Sequence, residues 1–280
     1  MRYPGEQNQS MTNSTNKTAL ITGASVGIGA EFARQLAAQS VDLVLVARRR
    51  QAMEELASEL SLKHAVKTHV IAIDLTDPQA GRNILRELEH LELTIDYLIN
   101  NAGYGVPGAL TKSDWPTHER FIRIMVNVAV ELCYHLLPGM QRQNWGRIIN
   151  VASLAALVPS SGGHTLYGAS KAFLVRFSES LYFENLDKGV RVQALCPGFT
   201  LSEFHDVTGT RDIVSKMPSY MWQSASEVVD YSLTQIEKRN YLPVAVSGRI
   251  NRLIARLMRW LPQRTAYNKI RQRAKHYRKQ

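Results

Sequence analysis

Seven short apolar-rich runs recur along this chain, at residues 17–22, 42–47, 66–73, 95–99, 146–152, 190–196 and 242–246. The segments between them read as helices, with apolar residues recurring at three- and four-residue intervals. Parallel strands need crossover connections, and a helix after each strand supplies them. The alternation therefore predicts one parallel sheet covered by helices on both faces. In such sheets ligands bind beyond the C-terminal ends of the strands.

The first strand end carries the strongest local signal. Residues 17–22 (KTALIT) run into Gly23-Ala-Ser25-Val-Gly27-Ile28-Gly29, and a helical pattern follows over 30–39. Glycines let the backbone turn sharply and approach a phosphate closely. The helix N-terminus then offers unpaired N–H groups and a favourable dipole. Strand, glycine turn and helix in that order predict a dinucleotide site with Gly23, Ser25, Gly27, Ile28 and Gly29 at the phosphates. The second strand, 42–47 (DLVLVA), ends at Arg48, Arg49 and Arg50. An acid at such a strand end suits a free ribose 2′-hydroxyl. Arginine suits a 2′-phosphate, through charge and bidentate geometry, so NADP(H) is expected, with Arg48 and Arg49 as its contacts. Asp42 opens that strand and lies too early to reach the ribose. Asp74-Leu75 and Asn100-Asn101-Ala102-Gly103 follow at the next two strand ends.

The reactive candidates come later. Tyr167 and Lys171 are spaced i, i+4 at the start of a helical run, which puts them on one face. A free tyrosine titrates near pH 10, and an ammonium one turn away is expected to lower that value towards the working range. Ser153, at the end of the fifth strand, offers a hydroxyl for a substrate oxygen. Asn127 sits in an apolar stretch (MVNVAVEL) of a long helix over 114–140. It reads either as one satisfied core amide or as a polar post facing the site.

The ordered set Thr22–Gly29 (TGASVGIG), Asp74-Leu75, Asn100–Gly103 (NNAG), Asn127, Ser153, Tyr167-x-x-x-Lys171 and Pro197-Gly198 resembles the short-chain dehydrogenase/reductase family, over residues 17 to about 246. The resemblance implies a Rossmann-like, doubly wound α/β fold with a seven-stranded parallel sheet. It implies a carbonyl–alcohol oxidoreductase using NADP(H), with Tyr167 as acid in reduction and base in oxidation. Lys171 would hold the nicotinamide ribose, Ser153 would orient the carbonyl, and Asn127 would hold a relay water to Lys171. Asp74 and Leu75 would flank the adenine, and Asn101, Ala102 and Gly103 would line the adenosine-ribose side. Pro197, Gly198, Thr200 and Ser202 would sit against the nicotinamide. The family also implies a homo-oligomer, a dimer or tetramer, through helices such as 114–140. A looser likeness, in Cys196–Thr200 and the C-terminal extension, is to bacterial members near the 3-oxoacyl reductases.

Charge divides the chain. Of 34 Lys and Arg, eleven lie in residues 247–280 with no Asp or Glu among them. The remaining 23 face 24 acids over residues 1–246, a net of −1. A neutral body with a basic appendage argues against nucleic acid as the partner. Within the appendage, 249–261 (RINRLIARLMRWL) is an amphipathic basic helix, suited to an anionic membrane surface, to its own domain or to a partner subunit. Three parts are expected: a disordered lead at 1–16, a catalytic domain at 17–247 and the basic tail at 248–280, with Met11 a second possible start. No run of about eighteen apolar residues exists, so no spanning helix is expected, and the polar lead does not read as a signal peptide. Two cysteines in apolar contexts suggest free thiols in a reducing, cytoplasmic setting, peripheral to the membrane at most. No metal-ligand spacing is present, and no metal is expected. Aromatic and methionine residues over 203–222 suggest an apolar or mixed substrate, with His205 a possible contact; the looser likeness implies a 3-oxoacyl substrate, and the basic tail, if it meets a membrane, a lipid-like one. The alternative is an NADP(H)-binding scaffold or sensor without turnover, which has no need of the full Asn127, Ser153, Tyr167 and Lys171 set.

Overall fold

A computed structural model describes residues 16–160, 162–163, 165–201 and 218–262, with 264, 265, 267, 268 and 271 beyond them. The expected lead, Ser202, His205 and the rest of 203–217 lie outside the described residues. In chain order the elements are β1 (Thr18–Thr22), α1 (Gly27–Ala37), β2 (Asp42–Ala47), α2 (Arg50–His64), β3 (Thr68–Ala72), α3 (Ala80–His90) and β4 (Tyr97–Asn100). Then come α4 (Trp115–Ile122), α5 (Val128–Arg142), β5 (Gly146–Val151), α6 (Thr165–Glu184), β6 (Val190–Cys196) and β7 (Phe199–Leu201). The last are β8 (Trp222–Ser224), α7 (Ala225–Ile236), β9 (Val244–Val246) and α8 (Arg249–Trp260).

Seven strands form one sheet in the order β3-β2-β1-β4-β5-β6-β9, and every pair is parallel. The doubly wound expectation holds. Strands buried on both faces explain the near-continuous apolar runs, because neither face meets water. On one face Phe32, Leu36, Met53, Leu60, Val229 and Ile236 cover the sheet; on the other, Ile84, Leu88, Leu132, Met140 and Leu181 do. A short parallel ladder between β7 and β8, with Thr200 opposite Gln223, stands apart from the main sheet.

The expected helix at 114–140 is Trp115–Arg142, 28 residues long and apolar enough by length and composition to cross a bilayer. Its Phe121, Met125, Leu132 and Met140 are buried, so one face packs on the core, while Trp115 and Tyr134 are exposed. A π-helical stretch, Arg123–Asn127, interrupts it between α4 and α5. Such a turn widens the helix by one residue and re-aims the side chains around it. Asp114 caps the start, its carboxylate accepting from Thr117 N at 3.1 Å.

Candidate active site

β1 ends in a turn made from backbone. Gly23 and Gly27 have φ of +66° and +59°, a region that costs other residues strain. A Cβ on Gly29 would lie 2.2 Å from Gly23 O, and one on Gly23 would lie 2.9 Å from Ala102 Cα. The turn is thus pressed against the end of β4 with no room for a side chain. Two polar groups hold it there. Thr22 Oγ1 accepts from the N–H of Asn101 (3.0 Å) and of Ala102 (3.1 Å). Asn101 Nδ2 donates to Thr22 O (3.0 Å) and Gly23 O (3.2 Å). Asn101 therefore reaches the rim with its amide already committed to backbone. In the sequence Thr22 ends the first strand and opens the glycine motif; that its hydroxyl holds the end of β4 is visible only in the fold. α1 begins after Val26, which provides no side-chain cap, so its first N–H groups keep their capacity for an anion.

The next strand ends bring the expected polar groups alongside. Arg48 and Arg49 are exposed where β2 ends, and Arg49 Nη2 donates to Ser25 Oγ at 3.3 Å, over the glycine turn. Arg50 instead pairs with Glu54 at 3.3 Å in the first turn of α2. Asp42, at the opposite end of β2, accepts from Lys67 N at 2.8 Å, well away from the rim. Asp74 is exposed and folds a local turn by accepting from Thr76 N and Oγ1, each at 2.9 Å. Leu75 is only 3 % exposed, within the core, so no more than its backbone is on offer to an adenine.

Ser153, Tyr167 and Lys171 converge. Ser153 follows β5; its Oγ accepts from Ala155 N at 3.1 Å and is hydrogen-bonded to the Tyr167 side chain. Leu154 N donates to Pro197 O at 2.8 Å, tying this loop to the Pro197-Gly198 turn. Lys171 is 5 % exposed, and its Nζ donates to Val151 O at 2.7 Å and lies 5.9 Å from the Tyr167 ring centre. Gly103 reaches the same place, since a Cβ there would come within 3.8 Å of Lys171 Nζ. Burial drives the electrostatics. It lowers the Lys171 ammonium from 10.5 to about 8, against a smaller opposing pull from Cys196. It also raises the Tyr167 hydroxyl, partly offset by the Ser153 hydrogen bond. Desolvation disfavours both charges, so the Tyr167 hydroxyl is pushed up rather than lowered, and its neutral form is favoured. Cys196, also buried there, is a thiol pushed up to about 12.

Asn127 ends the π-helical stretch and is exposed, which removes the reading of a satisfied core amide. Beside Tyr167 is a cavity of ≈ 10 Å³, lined by Val106, Ala109, Leu110, His118, Phe121 and Tyr167. His118 is 6 % exposed, and its Nε2 meets Leu110 O at 2.7 Å. A carbonyl only accepts, so Nε2 carries the proton and Nδ1 is a bare acceptor; Nδ1 is buried without a partner. His118 carries no motif in the sequence. Its three-residue spacing from Phe121 in a helix leading to Asn127 was the available signal.

Gly198 and Thr200, expected beside the nicotinamide, lie next to the C-terminal helix. Thr200, 5 % exposed, donates from Oγ1 to Gly198 O at 3.2 Å. A Cβ on Gly198 would lie 2.4 Å from Asn251 Nδ2, in the first turn of α8. Asn251 is 4 % exposed and donates to Ser247 O (2.8 Å) and Gln223 Oε1 (3.2 Å), and Gln223 Oε1 also accepts from Ser247 Oγ (3.0 Å). The basic helix is therefore keyed into the catalytic body at its start.

Residues 17–211 match the short chain dehydrogenase family. The 17-beta-hydroxysteroid dehydrogenase type 3 of Danio rerio is 34% identical over 190 residues, 66% of this chain and 61% of that protein, so the chain spans less than two thirds of that relative. The very-long-chain 3-oxoacyl-CoA reductase of Homo sapiens is 30% identical over 264 residues, 92% of this chain and 81% of that protein. A solved short-chain dehydrogenase from Sphingobium yanoikuyae in complex with NADPH has a TM-score of 0.75 and 32% identity, covering 82% of this chain and 87% of that one. With the parallel sheet, the glycine turn at its first strand end and the Ser153–Tyr167–Lys171 cluster, these matches establish that the chain belongs to the short-chain dehydrogenase family.

Proposed function

We propose that this chain interconverts a carbonyl and a secondary alcohol with NADP(H), that Tyr167 transfers the proton, and that the substrate is apolar, of the 3-oxoacyl or lipid-like class. One observation carries the reading: a half-buried Tyr167 hydrogen-bonded to Ser153, with the Nζ of the buried Lys171 5.9 Å from its ring. The glycine turn fits a dinucleotide, since any Cβ on Gly23 or Gly29 would fill the close backbone approach. Gly23, Ser25, Gly27, Ile28 and Gly29 would hold the pyrophosphate, Arg48 and Arg49 a 2′-phosphate, and Asp74, Leu75, Asn101, Ala102 and Gly103 the adenosine side. Lys171, Tyr167, Pro197, Gly198, Thr200 and Ser202 would hold the nicotinamide end. When bound, the cofactor supplies or takes the hydride at nicotinamide C4.

The residues then divide the proton work. Ser153 donates to the substrate oxygen and orients it. Tyr167, held neutral by burial, protonates that oxygen as charge develops on it, which favours reduction at neutral pH. Lys171 steadies the resulting phenolate and returns a proton to it, replenished from solvent on the side where Asn127 is exposed. The NADPH complex of the Sphingobium yanoikuyae protein supports the cofactor, and the match of 92% of this chain to a very-long-chain 3-oxoacyl-CoA reductase supports the substrate class. The buried free thiols of Cys133 and Cys196 support a reducing, cytoplasmic setting. Exposed Trp115 and Tyr134 on the long helix support a homo-oligomer.

The test is NADPH oxidation, with NADH in parallel, over short aldehydes, cyclic ketones and 3-oxoacyl thioesters of graded length. Rates with NADPH that rise with chain length are expected. A preference for NADH would overturn the cofactor, and tight NADPH binding without turnover on any substrate would favour a scaffold or sensor.

A further inference from the structure

α8 carries two faces, and among the described residues only one is packed against the body. Asn251 is buried in the Gln223–Ser247 cluster. Arg252 stacks over Tyr231 at 5.3 Å and donates to Val246 O at 3.3 Å. Ile254 and Met258 are half-buried on that same edge. The other edge, Ile250, Leu253, Leu257 and Trp260, follows i, i+3, i+7, i+10, and its last three members are 56 %, 57 % and 85 % exposed. Arg249, Arg256 and Arg259 flank it, all exposed. The sequence adds seven Lys and Arg after Pro262 and no acid.

We propose that this free edge docks α8 in the plane of an anionic lipid surface, with Ile250, Leu253, Leu257 and Trp260 in the headgroup–acyl boundary and Arg249, Arg256 and Arg259 on the lipid phosphates. Apolar side chains beside arginines, ended by a tryptophan, match the polarity step across that boundary. Charge selects the occupant. A second copy docked through the same face would bring two such arginine clusters together, whereas an anionic surface complements them. The body contributes no competing field, because its net charge over 1–246 is −1. The latch gives the contact a consequence. Asn251 packs on Gly198, so the docked helix would hold the nicotinamide end of the cleft next to the bilayer, where an apolar substrate partitions.

The experiment is co-sedimentation of the full chain with phosphatidylcholine vesicles, with and without phosphatidylserine, for the parent and for Leu253→Asp/Leu257→Asp. Both leucines are exposed, so the fold should tolerate the change; unfolding temperature and NADPH affinity serve as controls. The parent is expected to pellet with phosphatidylserine vesicles, and the double variant to lose about tenfold in bound fraction at an unchanged unfolding temperature. Equal pelleting of both proteins would overturn the proposal, by assigning the attraction to tail charge alone. So would a parent that stays in the supernatant. Sedimentation velocity supplies the remaining outcome: a variant that dissociates an oligomer without changing vesicle binding would assign the face to a second copy. None of these readouts depends on turnover, so they stand whether or not the catalytic reading holds.

Discussion

Two sites on the sheet's C-terminal rim, one after β1 and one after β5, are built from different materials. At the glycine turn the side chains are spent on scaffolding: Thr22 and Asn101 are bonded to backbone, and what faces outward is main chain. At Ser153–Tyr167–Lys171 the side chains themselves face the cleft, and burial works against their charges. A backbone site needs space and tolerates no added atoms. A side-chain site needs pKa control and puts a destabilising charge inside the protein. Each kind therefore breaks in its own way.

Replacing Lys171 by Met is the largest expected break. Turnover should fall by roughly 10²–10⁴-fold, the range for loss of acid–base assistance. Stability should move the other way. Between about 8 and 10.5 the folded protein holds fewer protons on Lys171 than the unfolded chain, so the wild type gains stability as pH rises through that window. Below about 8 the cost of the buried ammonium is full. The variant should therefore melt higher than wild type at pH 7, less the loss of the bond to Val151 O, and the difference should close towards pH 10.5. Thermal melts across pH read this directly.

Gly29→Ala tests the backbone site. Its Cβ would meet Gly23 O at 2.2 Å, so the turn must shift. Cofactor affinity should drop about 10- to 100-fold, the equivalent of roughly 1–3 kcal/mol of overpacking, while Tyr167 and Lys171 are untouched. Calorimetric titration with NADPH checks it. The smallest effect is expected from Arg48→Ala/Arg49→Ala, a loss of about tenfold or more in NADPH-over-NADH preference with little change in kcat, read from parallel kinetics.

The same contrast explains what sequence could reveal. The alternating runs specified the parallel sheet, and β2 and β6 span the residues expected, because a strand buried on both faces leaves a continuous apolar signature. Glycines that permit a turn, and Tyr167 with Lys171 at helical spacing, are local and were legible. Partners distant in sequence were not. Thr22 bonding to Asn101, 79 residues away, has no local mark. The exposure of Asn127 depends on a π-helical stretch that residue periodicity does not encode. The direction of the tyrosine's pKa shift has no local mark either, because spacing gives proximity while burial pushes the hydroxyl up. Likewise the stripe on α8 announced an amphipathic helix, but which half its own domain covers depends on where Asn251 lands.

The most direct measurement is NADPH oxidation by Tyr167→Phe beside wild type, from pH 6 to 10, on whichever carbonyl substrate the wild type turns over, with NADPH binding measured on the same samples. On this account, wild-type reduction is level through neutral pH and declines at alkaline pH, as Lys171 loses its proton from about 8 and then as the raised Tyr167 hydroxyl ionises. The phenylalanine variant binds NADPH normally and loses about 10²-fold or more of its rate at every pH. A variant that keeps wild-type turnover, or a wild-type rate that climbs with pH as though a phenolate were required, would contradict Tyr167 as the proton donor.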